Sequence, residues 1–461
     1  MPDTTTIERL ADTLDGHVIR PGDDAYDEAR GLWNGMIDRR PEAVVRCVST
    51  SDVARTLRFA RAEGLPLAVR GGGHGVAGRA SVEGGVVIDL SSMRDVTVDV
   101  EARTARVEAG ATWADVDRVT QAHGLATTGG IDSRTGVGGL TLGGGQGWLA
   151  RRHGLTIDNL MAVDLVTADG SLVHACANEH SELFWALRGG SGNFGVAVAF
   201  TYRLHPVGPE ILTAQVYYPV EDAAAALRAY RRLIDGAPDE LACYALIMHV
   251  PPVAPFPEDR FGSVAIALVG CWFGPAYEGA ARFEPLLEVG DPMLSAVVPM
   301  PYETWQRSFD AGTPDGARYY YKTHYLRELS DDVLDALVEL APGLEGPLSM
   351  VGIECLGGAV ARVDPAATAF PHRDAAFSVG FWGGWLDASD DTSVRAWVRS
   401  AWQAVAPYAT GGGYVNYMDE DDDRATSAFG RNLARLQEVK ARYDPEEVFR
   451  GNQLLKPQPA R

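Results

Sequence analysis

A histidine set among glycines is the feature of this sequence with the clearest chemical potential. His74 lies in the run RGGGHGVAG at residues 70–78, directly after the predicted strand PLAVR. Successive glycines can turn several backbone N–H groups into one concavity, which binds a pyrophosphate without a lysine. A second predicted strand follows, so a Rossmann fingerprint and a P-loop are excluded, because both need a helix directly after the glycines. A tight β-turn that holds a core histidine would account for the same residues.

Two further glycine clusters follow along the chain. Residues 128–148 have the sequence TGGIDSRTGVGGLTLGGGQGW, and residues 189–196 have the sequence GGSGNFGV. Small residues in such numbers cannot form a hydrophobic core of their own. Their backbone must therefore lie against a ligand or another segment. A loose insertion is the alternative, and we expect no regular structure in residues 129–147. Three clusters predict one long ligand with a pyrophosphate and a planar ring system, which fits FAD better than NAD or ATP.

Composition excludes several classes of partner. Lys and Arg number 41 against 62 Asp and Glu, which gives a formal net charge of −21. Phosphate backbones and anionic lipids repel such a chain, so we expect neither a nucleic-acid nor a membrane partner. The five cysteines form no CxxC pair, and the N-terminus shows no signal-peptide pattern, so we expect a cytoplasmic protein. Nothing in the composition indicates an oligomeric state.

Hydrophobic patterning predicts two lobes. Residues 43–90 have a strand–helix–strand pattern, residues 160–175 a hairpin, and residues 194–204 a strand. After Pro206, helices alternate with apolar strands, which indicates an antiparallel sheet with helices on one face. A glycine-rich segment near residue 411 and a helix at residues 431–443 complete the first lobe. The predicted elements after Pro206 are helices near residues 223–236 and 331–340 and strands near residues 241–249, 264–273, 349–355 and 377–385.

Several segments resemble a known family. They are PLAVRGGGHGVAGRASVEGGVVIDLSSM, GVGGLTLGGGQGWLARRHGLTIDNL, LFWALRGGSGNFGV and the tail GYVNYMD with FGRN and RLQEVKARYDPEEVF. Together they resemble the berberine-bridge-enzyme-like flavoproteins of the vanillyl-alcohol-oxidase superfamily, among them the bacterial 6-hydroxynicotine oxidases. The resemblance covers essentially the whole chain, with the motifs in the expected order.

The resemblance implies an α+β, two-lobed flavoprotein fold. An FAD-binding lobe is implied beside a substrate lobe, whose antiparallel sheet with helices on one face covers the flavin ring. The implied boundaries are residues 1–205 for a PCMH-type FAD-binding domain with its core at about 37–207, residues 206–409 for the substrate-binding domain, and residues 410–461 for a C-terminal tail that completes the FAD-binding domain.

The same resemblance implies how FAD is held. His74 matches the histidine that is joined covalently to the flavin 8α-methyl group. Many relatives add a second bond from a cysteine, but Asp132 or its neighbours occupy that place here, so a single covalent bond through His74 is implied. Thr135 falls near the position that controls O2 access in relatives. The implied FAD-binding residues are Arg70, Gly71, Gly72, Gly73, His74, Gly75, Gly78, Gly130, Thr135, Gly138, Gly139, Gly143, Gly147, Asn159, Val163, Tyr414, Asn416 and Asn452.

Tyr417 is the first catalytic candidate. Hydride transfer to a flavin needs a base for the substrate O–H or N–H proton, and Tyr417 in YVNY matches a tail tyrosine that serves as that base in several relatives. A free phenol has a pKa of about 10, so a cation or backbone dipoles would have to lower it. Tyr414 and Asn416, two residues apart, are expected to share one face near the cofactor. A tyrosine that only packs between lobes is the alternative.

The substrate lobe supplies the other catalytic candidates. The segment SVGFW at residues 378–382 lacks the Glu or Gln that several relatives carry there, which favours a tyrosine as the base. Glu354 is the carboxylate that the pattern places toward the site. In RYYYKTHYL at residues 318–326, alternation puts Tyr319 and Tyr321 on one face and Tyr320 and Lys322 on the other, and a cationic Lys322 near a phenol would lower the pKa of that phenol. An aromatic core stripe would account for the same tyrosines.

Two charged segments are expected to have no catalytic role. His372 and Arg373 are expected to brace the end of the strand that follows them. The acidic run at residues 419–423 is expected to be a solvated loop and not a metal site, because adjacent carboxylates on a turning segment mostly point apart.

The sequence therefore predicts an FAD-dependent oxidase. It would remove hydride from a C–H next to O or N of a small organic substrate, such as an alcohol, a sugar, an amine or a natural-product intermediate. O2 would then reoxidise the flavin and give H2O2. The alternatives are a flavin dehydrogenase with another acceptor, an oxidase that makes or breaks rings in a natural product, and a flavin-binding protein without turnover. A hydrolase with paired carboxylates leaves the three glycine clusters unexplained.

Overall fold

The structure is a computed structural model that describes residues 4–422, 425–450 and 455–457. The predicted cofactor residue Asn452 lies outside these ranges. The chain has the expected α+β architecture, with separate sheets and packed helices. Within the described residues, every helix is too short or too polar to cross a membrane.

Residues 4–206 fold around two larger sheets. The first has four strands in the order β1-β2-β4-β3, of which β2, β3 and β4 run parallel; the second has five antiparallel strands in the order β5-β6-β10-β8-β9. The predicted strand–helix–strand unit at residues 43–90 and the hairpin at residues 160–175 are confirmed. The elements are α1 (Thr4–Ala11), β1 (His17–Ile19), α2 (Tyr26–Arg30), β2 (Ala43–Arg46), α3 (Thr50–Ala62), β3 (Leu67–Arg70), β4 (Val86–Asp89), β5 (Val96–Asp99), β6 (Thr104–Glu108), α4 (Trp113–Gln121), β7 (Leu125–Ala126), α5 (Val137–Gly143), α6 (Ala150–His153), β8 (Leu160–Val166), β9 (Leu172–Cys176), α7 (Ser181–Leu187), β10 (Val196–Arg203) and β11 (His205–Pro206).

Helix α5 corrects one expectation. Irregular structure throughout residues 129–147 is wrong for Val137–Gly143, which are helical. Glycine is a poor helix former, but tertiary packing overrides propensity. A Cβ at Gly138 would lie 3.1 Å from the Ala109 carbonyl oxygen, and one at Gly143 would collide with the Asn416 side chain. The missing side chains therefore let the helix pack closely against its neighbours.

The rest of the chain builds a seven-stranded antiparallel sheet. Its strand order is β15-β12-β14-β13-β17-β18-β16, and α8, α11 and α13 pack on one face, as predicted. Val379 and Phe381 of β18 pack among these helices, so alternate residues of β18 point away from them. The elements are β12 (Glu210–Pro219), α8 (Ala223–Ile234), β13 (Leu241–His249), β14 (Val264–Trp272), α9 (Ala276–Leu287), β15 (Leu294–Pro301), α10 (Tyr302–Gln306), β16 (Arg318–Leu326), α11 (Asp331–Leu340), β17 (Met350–Cys355), α12 (Gly358–Arg362), β18 (Phe377–Trp385), α13 (Asp391–Val405), α14 (Ala425–Phe429) and α15 (Leu433–Tyr443).

Two large hydrophobic cores underlie these sheets. One core gathers side chains of residues 10–204 with residues of the tail, including Leu436 and Val439 of α15. The other lies mostly within residues 207–405 and contains both the seven-stranded sheet and its helices. The tail thus packs with the N-terminal half of the chain. The exact domain boundaries at residues 205 and 410 stay predictions.

Candidate functional site

A large cavity lies where the glycine-rich loops meet the seven-stranded sheet. Its walls come from the loop after β3, from α5, from the tail and from the face of the sheet opposite its helices. The predicted site residues that line this cavity are Gly71, Gly72, Gly73, His74, Gly75, Gly130, Thr135, Gly138, Gly139, Tyr321, Tyr414, Asn416 and Tyr417.

Two glycine loops form the cradle of the cavity by direct backbone contact. A Cβ at Gly72 would lie 2.5 Å from the Gly136 backbone nitrogen, so these two positions admit only glycine without movement. Within the described part of the chain, no backbone group accepts a hydrogen bond from the N–H groups of residues 72–75. Unpaired N–H groups beside a cavity fit a phosphate ligand. The prediction that this glycine-rich backbone lies against a ligand or another segment is therefore confirmed for the contact between Gly72 and Gly136.

The glycine cradle carries a stability prediction. We expect Gly72→Ala to destabilise the flavin-free protein by about 1–3 kcal/mol, because the new methyl group forces the two loops apart. Gly139→Ala is the matched control, since within the described residues nothing outside its own helix and chain neighbours lies within 4 Å of its Cβ position. The check is the midpoint of urea unfolding of both variants. An unchanged midpoint for Gly72→Ala would contradict the close contact.

His74 is held on one side by an aromatic stack. Its ring lies 4.3 Å from that of Trp33, at an interplanar angle of 16°, and Trp33 stacks in turn on Tyr319 at 3.8 Å. Trp33 donates a hydrogen bond from Nε1 to the Thr313 carbonyl at 2.9 Å. The N-terminal segment thus fixes the plane of the imidazole. Sequence reasoning missed Trp33, which lies in a segment with neither periodicity nor a motif.

A buried carboxylate lies beside the same imidazole. Asp132 Oδ2 is 3.4 Å from His74 Nε2 and accepts hydrogen bonds from Thr313 Oγ1 at 2.6 Å and from Arg134 Nη2 at 2.7 Å. Burial by itself would raise the pKa of Asp132, but the close contact with His74 and the hydrogen bonds from Arg134 hold that pKa far below its ordinary value. Asp132 is therefore a fixed negative charge next to His74.

The cavity face of the seven-stranded sheet is built in rows. Met350, Trp382 and Tyr321 are register partners across β17, β18 and β16, and all three line the cavity. Two residues along, the partners Gly352 and Gly380 lack side chains, and the Trp382 ring occupies the space that their Cβ atoms would need. The sequence placed Trp382 on a strand, within SVGFW, but did not identify it as a residue of the cavity.

Glu354 lies in the next row, opposite Ser378 on β18. It is buried, and its carboxylate accepts hydrogen bonds from Gln146 Nε2 at 2.6 Å and from Tyr417 Oη at 3.3 Å. Burial raises the pKa of Glu354 to about 7, although Ser378, Tyr417 and Gln146 all favour its charged form. The group is thus poised to exchange a proton near neutral pH.

Tyr417 has the opposite electrostatics from those expected. Burial and the neighbouring Glu354 raise the pKa of the phenol well above its ordinary value. The expectation of a cation or dipoles that lower this pKa is therefore wrong. Because it stays protonated at neutral pH, Tyr417 needs Glu354 if it is to take up a proton.

The tail also departs from the expected extended geometry. Residues Val415–Tyr417 form a 3-10 turn, so residues two apart do not share a strand face. Tyr414 and Asn416 are nevertheless neighbours, because Asn416 Nδ2 donates to Tyr414 Oη at 2.9 Å. Asn416 Nδ2 also donates to the Leu140 carbonyl at 3.0 Å, which ties the tail to α5.

Lys322 lies on the face of β16 away from the cavity. It binds Asp421 at 2.9 Å and lies over the Tyr320 ring, whose pKa is raised by burial and by Asp421. The expectation that Lys322 lowers the pKa of a phenol is wrong. A fully solvated acidic run is also wrong for the described residues, since Asp421 is ion-paired and Asp422 is buried. The contacts of Lys322 and Asp421 bring no cation to Tyr321, and burial raises the pKa of Tyr321.

Several predicted cofactor residues do not line the cavity. Arg70 bonds to Asp89 and Asn159 to the loop around His205, so both support neighbouring segments instead. Gly143 and Gly147 are glycines because neighbouring protein atoms already occupy the space that a Cβ would need. The residues whose side chains or Cα positions lie outside the cavity wall are Arg70, Gly78, Gly143, Gly147, Asn159 and Val163.

The segment before β18 has the bracing role that the sequence predicts. Arg373 forms two hydrogen bonds to Asp158, at 2.7 and 2.8 Å, and His372 Nε2 contacts the Ala428 carbonyl at 2.8 Å. The side chain of Arg373 is buried, so this ion pair fixes the strand end against the N-terminal half of the chain.

Comparison with known proteins decides the family. An FAD binding domain profile matches residues 41–176, and a berberine and berberine-like profile matches residues 413–455. The FAD-linked oxidoreductase YvdP of Bacillus subtilis is 30% identical over 455 residues, which cover 96% of this chain and 98% of YvdP. The chain belongs to the berberine-bridge-enzyme-like FAD-linked oxidoreductases. It is an enzyme of this family, and the resemblance seen in the sequence is confirmed.

Other proteins are similar to this chain over nearly their whole length. The (R)-6-hydroxynicotine oxidase of Paenarthrobacter nicotinovorans is 28% identical, over 97% of this chain and 98% of that enzyme. The crystal structure of 6-hydroxy-D-nicotine oxidase from Arthrobacter nicotinovorans superposes with a TM-score of 0.87 at 25% identity, covering 97% and 99% of the two chains. A glucooligosaccharide oxidase from Acremonium strictum has the same fold, with a TM-score of 0.87 at 24% identity, covering 99% and 100% of the two chains.

Proposed function

We propose that this protein is an FAD-dependent oxidase that holds FAD by a single covalent bond through His74. The observation that carries the proposal is that one cavity is lined both by His74, on the glycine cradle, and by Tyr417, which donates a hydrogen bond to Glu354. The glucooligosaccharide oxidase described above carries a 6-S-cysteinyl, 8α-N1-histidyl FAD. Here the cysteines lie at residues 47, 176, 243, 271 and 355, so only the histidine has a counterpart on the cavity wall.

The residues present fit FAD. The free N–H groups of residues 72–75 suit its pyrophosphate, and the missing side chains at Gly75 and Gly139, whose Cβ positions are open among the described residues, leave room for close approach. Gln146 Oε1 is buried without a hydrogen-bond partner among the described residues, so it can accept a bond from a ligand N–H. When bound, FAD supplies the acceptor for the substrate hydride and the group that O2 reoxidises.

Tyr417 and Glu354 act together on the substrate proton. Tyr417 lines the cavity, whereas Glu354, to which its hydroxyl donates, is fully buried and does not line it. A substrate O–H or N–H gives its proton to Tyr417 Oη while the Tyr417 proton moves to Glu354 Oε1. The raised pKa of Glu354, about 7, suits a carboxylate that takes up this proton and later releases it.

The sheet side of the cavity favours an apolar or aromatic substrate. Leu246, Met350 and Trp382 line it together with Phe309 and Tyr321. Such walls stabilise a planar, weakly polar molecule with one reacting hydroxyl or amine and offer few partners to the many hydroxyls of a sugar chain. Aromatic alcohols and amines are therefore the first substrates to test.

Anaerobic mixing followed by O2 tests the proposal. The purified protein is mixed with a panel of aromatic alcohols, aromatic amines and oligosaccharides, and the flavin absorbance is followed. We expect bleaching by a member of the aromatic groups and, after O2 is admitted, one H2O2 for each product. Bleaching without rapid reoxidation would instead establish a dehydrogenase that uses another acceptor. A flavin that no compound bleaches would support a binding protein without turnover.

A further inference from the structure

The contact between Asp132 and His74 has a consequence for how the flavin bond forms. His74 Nε2 is buried, and within the described residues it has no hydrogen bond of normal geometry, yet Asp132 Oδ2 lies 3.4 Å away. The carboxylate is acceptor-only when ionised, so a short approach requires a proton on Nε2. That tautomer leaves the lone pair of the imidazole on Nδ1.

We propose that Asp132 is a positioning residue that prepares His74 for covalent attachment of FAD. This inference rests on the proposed bond between His74 and the flavin. Asp132 fixes the tautomer of His74 and aims Nδ1 as the nucleophile, in the way that a carboxylate orients a histidine in other sites. Asp132 acts through His74 and takes no part in substrate oxidation.

The bond-forming step balances with O2 as the oxidant. A bond forms between His74 Nδ1 and the flavin 8α carbon, and one C–H bond of that carbon breaks with loss of its proton. The electron pair of that C–H bond remains on the flavin, and His74 loses the proton on Nε2 once Nδ1 is bonded. O2 takes up the electron pair together with two protons, equal to the one lost from carbon and the one lost from Nε2, as H2O2. While the new bond forms, positive charge develops on the imidazole, and the carboxylate beside Nε2 stabilises this charge.

Asp132 is itself held rigidly enough for this role. Its Oδ1 accepts from the Arg134 backbone N–H at 2.9 Å and from Arg134 Nε at 3.1 Å, while Thr313 Oγ1 and Arg134 Nη2 bind Oδ2. The Thr313 carbonyl also accepts from Trp33, which stacks on His74. Thr313 thus binds both Asp132, at the edge of the imidazole, and Trp33, which stacks on its face.

Asp132→Asn tests the inference, with Asp310→Asn as the matched control. Asp310 bonds to Ser133 N and Oγ at 2.9 and 2.7 Å, so it pins the same loop without touching His74. FAD is added to protein from flavin-limited cells, and acid-stable flavin is measured over time beside the reversible affinity for FAD. We expect attachment at least about tenfold slower in Asp132→Asn, with the reversible Kd and the Asp310→Asn rate close to those of wild type.

The outcomes separate this inference from the proposed function. A wild-type protein without acid-stable flavin would contradict the His74 bond itself. Acid-stable wild-type flavin with equally fast attachment in Asp132→Asn would overturn only the role of Asp132. If Asp132→Asn does not bind FAD, Asp132→Glu decides, because it keeps the charge and moves the carboxylate by one methylene; attachment as fast as in wild type would then overturn the inference.

Discussion

Glu354→Gln is expected to lower kcat by about 10²–10⁴-fold while the protein keeps its flavin, because the substitution removes the group that finally accepts the substrate proton. Glutamine has nearly the same shape and can still accept the hydrogen bond from Gln146. The measurement is steady-state turnover with the substrate found in the anaerobic panel. A decrease in kcat of less than tenfold would contradict a proton-accepting role for Glu354.

The pH profile gives the same prediction an independent readout. Glu354 must be ionised to accept a proton, and its pKa is about 7. We therefore expect kcat/KM of the wild type to fall about tenfold per pH unit below pH 7 and to level off above it. In Glu354→Gln this inflection disappears. Asp117→Asn is the control: Asp117 is also buried with a pKa of about 7, but its carboxylate accepts a hydrogen bond from Gln306 and not from Tyr417, so its removal leaves the inflection in place.

Through the raised pKa of Glu354, a rise in pH lowers the stability of the fold although it raises activity. A carboxyl whose folded pKa is raised stabilises the fold below its unfolded pKa, and that stability is lost as the pH rises through 7. Glu354→Gln is therefore expected to be at least as stable as wild type at pH 8. This makes misfolding a poor explanation for the lost activity, and thermal unfolding at two pH values checks it.

Tyr417→Phe is expected to lower kcat by about 10²-fold, because the phenol connects the substrate to the buried Glu354. Since the two residues act as one unit, the double variant Tyr417→Phe/Glu354→Gln is expected to be close to the worse single variant. Additive losses in the double variant would contradict a shared proton path. Tyr321→Phe serves as the comparison, since Tyr321 lines the cavity and lies 6.2 Å from Tyr417 between ring centroids.

Local sequence was informative wherever backbone chemistry alone defines the site. Glycine clusters identify close backbone contacts because no other residue tolerates them, so the cradle and His74 could be predicted. Strand alternation also placed Glu354 and Tyr321 toward the cavity. Short-range patterns fail where tertiary packing decides, as in α5, whose glycines form a helix only because Ala109 and Asn416 pack against it.

Contacts between segments that are distant along the chain could not be predicted from the sequence. Trp33, His74, Asp132 and Thr313 meet at one imidazole although they lie far apart along the chain. The pKa of Tyr417 was predicted in the wrong direction because the phenol is buried and has Glu354 as its neighbour, and no local pattern reveals either fact. Electrostatic predictions need the identity of every group around a side chain, which only the assembled fold provides.

The most direct test of the account is a visible spectrum of the purified protein before and after acid precipitation, followed by the mass of the peptide that contains His74. A covalent bond through His74 predicts a yellow pellet and a flavin-sized mass on that peptide, and both are lost in His74→Ala. A yellow supernatant above a colourless pellet would contradict the bond while leaving the cofactor. A colourless protein that FAD cannot reconstitute would contradict the whole account of the cavity.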